Sequence, residues 1–157
     1  MERLTKIEYG CLIALSASAR SEDPTTKVGC AVEDNSGKII STGYNGLKSG
    51  YSTLDTPITT REDKLKYFIH AETNALSEIV KNQIKTIYIT HSPCQYCAQN
   101  IVAHGIKEVI YLEEYKYCSI FKEIFNTFGV FCREVTETER NNIKKHINHF
   151  SSRVNKE

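Results

Sequence analysis

The feature that most constrains this chain is the alternation that begins at residue 71. Ala71 to Lys81 has the spacing of a helix, and Thr86 to Thr90 reads as a strand. Tyr96 to His104 is helical and is closed by Gly105; Glu108 to Leu112 is again a strand. Ser119 to Phe128 is a helix closed by Gly129, followed by a short strand over Val130 to Val135. Thr136 to Phe150 forms a last helix, opened by Thr136 and Glu139 at the spacing of a capping box. Strands joined through helices lie parallel and need cover on their faces. The first part of the chain adds a helix over Leu4 to Arg20, with Leu4, Ile7, Cys11, Ala14 and Leu15 on one face. A hairpin follows, with strands Val28 to Val32 and Ile39 to Gly43 around the turn Asn35-Ser36-Gly37. A hairpin joined to helix–strand repeats predicts an α/β fold. It is a three-layer α/β/α sandwich around a central mixed sheet of about five strands. Residues 44–68 hold Gly46, Gly50 and Pro57 with little periodicity and predict a long loop, with a helical turn around Arg61 to Tyr67. The prolines, Pro24, Pro57 and Pro93, all fall where loops are expected.

Composition narrows the functional classes. The 157 residues fit one domain spanning 1–157, with the last residues a frayed tail. Twenty basic residues stand against 19 acidic ones, so no global field draws the chain to nucleic acid or to anionic lipid. The strongest local bias is at 140–157, where Arg140, Lys144, Lys145, Arg153 and Lys156 face only Glu157; this reads as a solvated terminal helix. No apolar run reaches the length of a membrane span, and the first residues lack the apolar stretch of a signal peptide. Six cysteines in such a chain imply reduced thiols or metal ligands in a cytoplasmic setting. Cys11, Cys30, Cys118 and Cys132 stand alone on apolar-rich elements and are expected to be buried free thiols.

The remaining two cysteines belong to a constellation. His70-Ala71-Glu72 directly precedes one helix, and Pro93-Cys94-Gln95-Tyr96-Cys97 opens the next. Two helix N-termini converging on one point would bring together a histidine and two thiols, and their positive ends would favour the thiolates. Zinc suits that mixed nitrogen and sulfur set. Structural zinc takes four protein ligands, whereas His70, Cys94 and Cys97 make three, the number of a catalytic site with a position left for water. Water acidified by zinc, beside a carboxylate that is not a ligand, is equipment for adding water across a polarised C=N bond. Glu72 is two residues from His70, so both do not easily face one metal, and it takes the carboxylate's role.

An H-x-E element followed by P-C-x-x-C is the signature of zinc deaminases of nucleobases. The chain resembles the cytidine and deoxycytidylate deaminase superfamily, and within it the dCMP deaminases, phage-type members included. The resemblance runs from about Arg20 to Val135. It covers Arg20-Ser21-Glu22-Asp23-Pro24, Lys27-Val28-Gly29, the Gly43-Tyr44-Asn45-Gly46 motif, Arg61, Tyr67 and Ile69 to Ala75. Tyr88 to Thr90, Gly105 to Val109 and Tyr115 extend it. It implies the cytidine deaminase-like form of the sandwich, one catalytic Zn²⁺ per chain, and hydrolysis of dCMP to dUMP and ammonia, the step that feeds thymidylate synthesis. It also implies roles for individual residues. Glu72 would shuttle protons as the catalytic acid and base. The backbone N–H of Ala71 would lie near the pyrimidine carbonyl, and Asn45 would bond the sugar hydroxyl. From local sequence alone, Asn45 beside Gly46 equally suits a left-handed turn at the hairpin's end. The 5′-phosphate would fall to a set drawn from Arg20, Ser21, Lys27 and Tyr115, with arginine best suited to the task.

The sequence departs from the family pattern in two places. Glu22 stands where the family often has lysine, and a carboxylate near a phosphate is unfavourable unless it points away. The stretch Gly50-Tyr51-Ser52-Thr53-Leu54-Asp55 has no cysteine or histidine for the second, structural zinc of some phage-type members. The resemblance further implies a homo-oligomer such as a hexamer. It implies regulation by dCTP and dTTP, with Mg²⁺ accompanying the nucleotide effector. Two other functions compete: deamination of another cytosine nucleotide, nucleoside or RNA base, and a non-catalytic zinc or nucleotide-binding module.

Overall fold

A computed structural model describes residues 1–56 and 58–155. Pro57, expected in a loop, and Lys156 and Glu157 of the basic tail lie outside the described residues. In chain order the elements are α1 (Lys6–Ser18), β1 (Gly29–Asp34), β2 (Ile39–Tyr44), α2 (Arg61–Tyr67) and α3 (Ala71–Leu76). There follow β3 (Ile84–His91), α4 (Gln95–Ala103), β4 (Glu108–Glu113), α5 (Ile120–Thr127), β5 (Phe131–Glu134) and α6 (Glu137–Val154). The five strands form one sheet in the order β2-β1-β3-β4-β5. β1 is antiparallel to β2 and β3, while β3, β4 and β5 run parallel, so the sheet is mixed as expected.

Period-two alternation sorts the side chains into two cores. Cys30, Val32, Ile87, Ile89, Val109 and Tyr111 face α3, α4 and α5, where Ala75, Ile101, Phe121 and Phe125 complete the packing. Ala31, Tyr88, Ile110 and Leu112 face the other way, against Cys11 and Ala14 of α1 and Ile143 of α6. The interleaved membership of the two sets is what a sheet covered on both faces requires.

Helix ends follow local chemistry. Thr5, Thr60 and Thr136 each close a capping box, with Glu8, Asp63 and Glu139 as the reciprocal partners. Gly105 and Gly129 take left-handed backbone after α4 and α5, at φ of 76° and 68°. α3 ends at Leu76 rather than at Lys81: the Ile79 N–H donates to the Leu76 carbonyl in a turn directly after it, and a second turn through Asn82, at φ 64°, leads the chain into β3. The Asn82 N–H donates to the His104 carbonyl, tying that turn to the end of α4. α6 continues past Phe150 to Val154. Cys11 and Cys30 are buried as expected; Cys118, between β4 and α5, and Cys132, on the edge strand β5, are only half-buried. No helix among the described residues is long and apolar enough to cross a membrane.

Candidate active site

Two helices start at the same place. His70 is the N-cap of α3 and Cys94 the N-cap of α4, both with extended backbone and neither using its side chain to cap. The three threonine caps elsewhere spend their hydroxyls on the helix. At these two ends the side chains turn outward instead. His70 Nδ1 lies 3.5 Å from Cys94 Sγ and 3.4 Å from Cys97 Sγ. All three ligand atoms fall within 4.8 Å of one another. Zinc–nitrogen and zinc–sulfur bonds of about 2.1 and 2.3 Å at a tetrahedral angle imply nitrogen–sulfur edges of about 3.6 Å. The spacing of these atoms therefore fits zinc.

The electrostatics agree. The Cys94 thiol is held down to about 4 by its hydrogen bonds with Cys97 and His70, the first being the larger. Cys97 is pushed up by the adjoining Cys94 and by burial, and His70 is raised by its bond to Cys94. This downward shift favours the thiolate, the form in which a cysteine ligates a metal. Among the described residues this is the one cluster of histidine, cysteine and acidic side chains placed to hold a metal.

Glu72 sits on the first turn of α3, 4% exposed. Burial, the dominant influence, raises its carboxyl above the ordinary value. It borders a cleft of about 670 Å³, a volume suited to a small ligand. The cleft joins the zinc trio to Asn45, Ala71, His91, Ser92 and Tyr115, with the α2 segment forming another part of its wall.

The residues expected from sequence divide into two groups. His70, Ala71, Glu72, Cys94, Asn45 and Tyr115 line this one cleft, and Cys97 stands behind its metal end. Asn45 is not in a left-handed turn; among the described residues Asn82 is the non-glycine with positive φ. Its Oδ1 accepts the Val28 N–H at 2.8 Å, and its Nδ2 donates to the Thr26 carbonyl at 2.9 Å. One lone pair of Oδ1 is left for a ligand. Arg20, Ser21 and Lys27 are not in the cleft lining. Arg20 lies over the Tyr44 ring, 5.9 Å from its centroid. Ser21 is buried and donates to the Asn45 carbonyl, while Lys27 donates to the Ser21 carbonyl. These three brace the loop rather than face the cavity. Glu22 points away as well: its carboxylate accepts the Thr53 N–H at 2.7 Å.

Sequence reasoning did not assign a role to Lys64. Both Arg61 and Lys64, one turn apart on α2, line the cleft. The visible signal was Thr60-x-x-Asp63, a capping-box spacing that starts a helix inside the presumed loop.

A histidine and two cysteines spaced to hold zinc at two helix starts, with a buried glutamate and a cleft beside them, match the site of a hydrolytic deaminase on an α/β/α sandwich. Residues 4–113 match the family described as the cytidine and deoxycytidylate deaminase zinc-binding region, and the chain belongs to that family. Human deoxycytidylate deaminase is 34% identical over 139 residues, 81% of this chain and 78% of the relative. ComE operon protein 2 of Bacillus subtilis is 33% identical over 140 residues, 86% of this chain and 74% of that protein. Among solved structures, dCMP deaminase from the cyanophage S-TIM5 in complex with dCMP and dUMP superposes with a TM-score of 0.67. It is 28% identical and covers 85% of this chain and 100% of its own.

Proposed function

We infer that this chain is a zinc-dependent deoxycytidylate deaminase, converting dCMP and water to dUMP and ammonia. The observation that carries the reading is the three-ligand trio beside buried Glu72 at the floor of a nucleotide-sized cleft. Its relatives include human deoxycytidylate deaminase and the dCMP deaminase of cyanophage S-TIM5.

Zinc held by His70, Cys94 and Cys97 would supply Lewis acidity and an acidified water at neutral pH. The chain's own groups do the rest. Glu72 accepts a proton from the attacking water and delivers it to N3 of the pyrimidine. It then takes the second proton to the departing amino group, so that the new C4–O bond replaces the broken C4–N bond and ammonia leaves. A carboxyl raised by burial is suited to this traffic, since a basic carboxylate takes a proton more readily. The N–H of Ala71, first residue of α3, has no acceptor within its helix and is available to the pyrimidine carbonyl. The unused lone pair of Asn45 Oδ1 accepts the sugar hydroxyl.

The phosphate subsite is assigned to the wall formed by α2, with the Arg61 guanidinium as its cation; Tyr115, which lines the same cleft, is the other candidate. Arg20, Ser21 and Lys27 support it by fixing the loop that carries Asn45. Six free thiols suit a reducing, cytoplasmic compartment. Assembly into a homo-oligomer and response to dCTP or dTTP, with Mg²⁺ on the effector, follow from the family resemblance.

The test is a comparison of dCMP, CMP, deoxycytidine and dCTP as substrates of the zinc-loaded protein, followed by ammonia release. Preferred turnover of dCMP is expected. Preference for deoxycytidine over dCMP would remove the phosphate subsite and with it the proposed substrate.

A further inference from the structure

α2 is anchored in an unusual way. Its seven residues bury no side chain, and Leu65 on it is 70% exposed. A helix this short is not stable by itself. A backbone bridge between Gly46 and Ile69 holds the chain just after it. The other tie is Lys64, whose ammonium donates to both carboxylate oxygens of Asp23, at 2.9 and 3.2 Å, and to the Thr25 hydroxyl. An ammonium has three N–H groups. With these three acceptors met, Lys64 has none to offer a phosphate, although it lines the cleft.

Asp23 is a hub. It is 5% exposed and accepts the backbone N–H of Thr25 at 2.8 Å and of Thr26 at 3.2 Å, together with the Thr25 hydroxyl. Asn45 Nδ2 reaches its other oxygen at 3.4 Å. Burial alone would raise the Asp23 carboxyl; Lys64 and these donors hold it below the ordinary value. The pair therefore links a helix on one wall of the cleft to the loop and the asparagine on another.

We propose that the Lys64–Asp23 ion pair is the latch that seats α2 over the cleft and sets Asn45 for the sugar, making Lys64 a positioning residue for nucleotide binding. The proposal rests on the deaminase reading for its ligand. A charge-assisted bond between partly buried groups is strong enough to shift binding by about tenfold or more. With the latch broken, α2 and the Asp23 loop must be ordered by the nucleotide itself, so the loss falls on binding rather than on the proton transfers at Glu72.

The experiment compares wild type, Lys64→Met and Lys64→Arg in the zinc-loaded protein. It reads kcat and KM for dCMP, the inhibition constant of deoxycytidine, and rapid amide hydrogen exchange over residues 61–69. Lys64→Met is expected to raise KM for dCMP and the deoxycytidine constant by a similar factor of about ten, with a far smaller change in kcat. Lys64→Arg is expected to restore most of both, and exchange over α2 to quicken only in the methionine variant. An unchanged KM overturns the latch. So does a loss confined to dCMP, which would make Lys64 a phosphate ligand, and so does a fall in kcat alone. If wild type deaminates no dCMP, the deaminase reading has failed separately, and the exchange measurement alone decides: equal exchange in wild type and Lys64→Met overturns the latch.

Discussion

Replacing Gly43 by alanine adds a single methyl where β2 meets α3. A Cβ there would stand 2.3 Å from the Ala71 carbonyl oxygen, 2.6 Å from the Ala75 nitrogen and 3.0 Å from the Ala75 Cβ. Two of the three are backbone atoms, so no side-chain rotation relieves the clash. α3 has to retreat by about 1 Å to regain ordinary contact. Overpacking of this kind costs about 1–3 kcal/mol. For a chain of this size, each kcal/mol lowers Tm by roughly 2–4 °C. The retreat also carries His70, which directly precedes Ala71, away from Cys94 and Cys97 on α4. A misplacement of about 1 Å at reacting groups is enough for a loss near 10² in rate. Gly29→Ala is the matched control. Its Cβ would lie 1.9 Å from the Ala14 carbonyl oxygen and 2.5 Å from the Ser18 nitrogen, both on α1 beyond the opposite face of the sheet. Both variants are therefore expected to melt lower, but only Gly43→Ala loses zinc affinity in competition with a chelator. Wild-type zinc affinity and kcat in Gly43→Ala would refute the argument that β2 seats the metal-binding helix through this glycine.

Three further outcomes are expected. Glu72→Gln keeps the fold and binds zinc but loses turnover by at least about 10²–10⁴-fold, read from kcat at saturating dCMP with metal content checked in parallel. Cys94→Ala loses stoichiometric zinc and melts lower, because both helix starts meet at the metal; elemental analysis and a melting curve report each effect. Acid stability depends on Glu139, whose carboxyl the bidentate Arg133 contact, foremost, lowers from 4.5 to about 2. A carboxyl lowered on folding stabilises fully above its unfolded value, so this contribution, of order 3 kcal/mol, fades as pH falls from about 4.5 to 2. Glu139→Gln should flatten that stretch of the stability–pH curve measured by urea unfolding.

Much of this architecture is legible in the chain because local rules agree with the tertiary result. Gly105 and Gly129 end their helices with the left-handed backbone their positions suggest, and Thr136 with Glu139 closes the expected box. The three inner strands, β1, β3 and β4, alternate between the two cores as their period implies. The convergence of His70, Cys94 and Cys97 is legible because both halves are short motifs fixed to helix starts. The rest of the cleft is not, because it is assembled from the 23–28 loop, Asn45, α2 and Tyr115, segments whose mutual placement no local pattern encodes. Arg20 and Lys27 look like phosphate ligands by charge alone, yet one lies over a tyrosine ring and the other holds a backbone carbonyl. Lys64 looks like a solvated lysine and is committed to buried Asp23. The path from α3 to β3 is illegible for a related reason: the Asn82 N–H donates to the His104 carbonyl, a contact between segments far apart in sequence.

The most direct test of the account is a titration of Zn²⁺ into chelator-stripped protein with dCMP present, following dUMP and ammonia together. The account predicts that both products appear in equal amounts. Their rate rises with added zinc and levels off at one ion per chain, while Glu72→Gln takes up the same zinc and stays silent. Zinc bound at that ratio without release of ammonia from dCMP would contradict it.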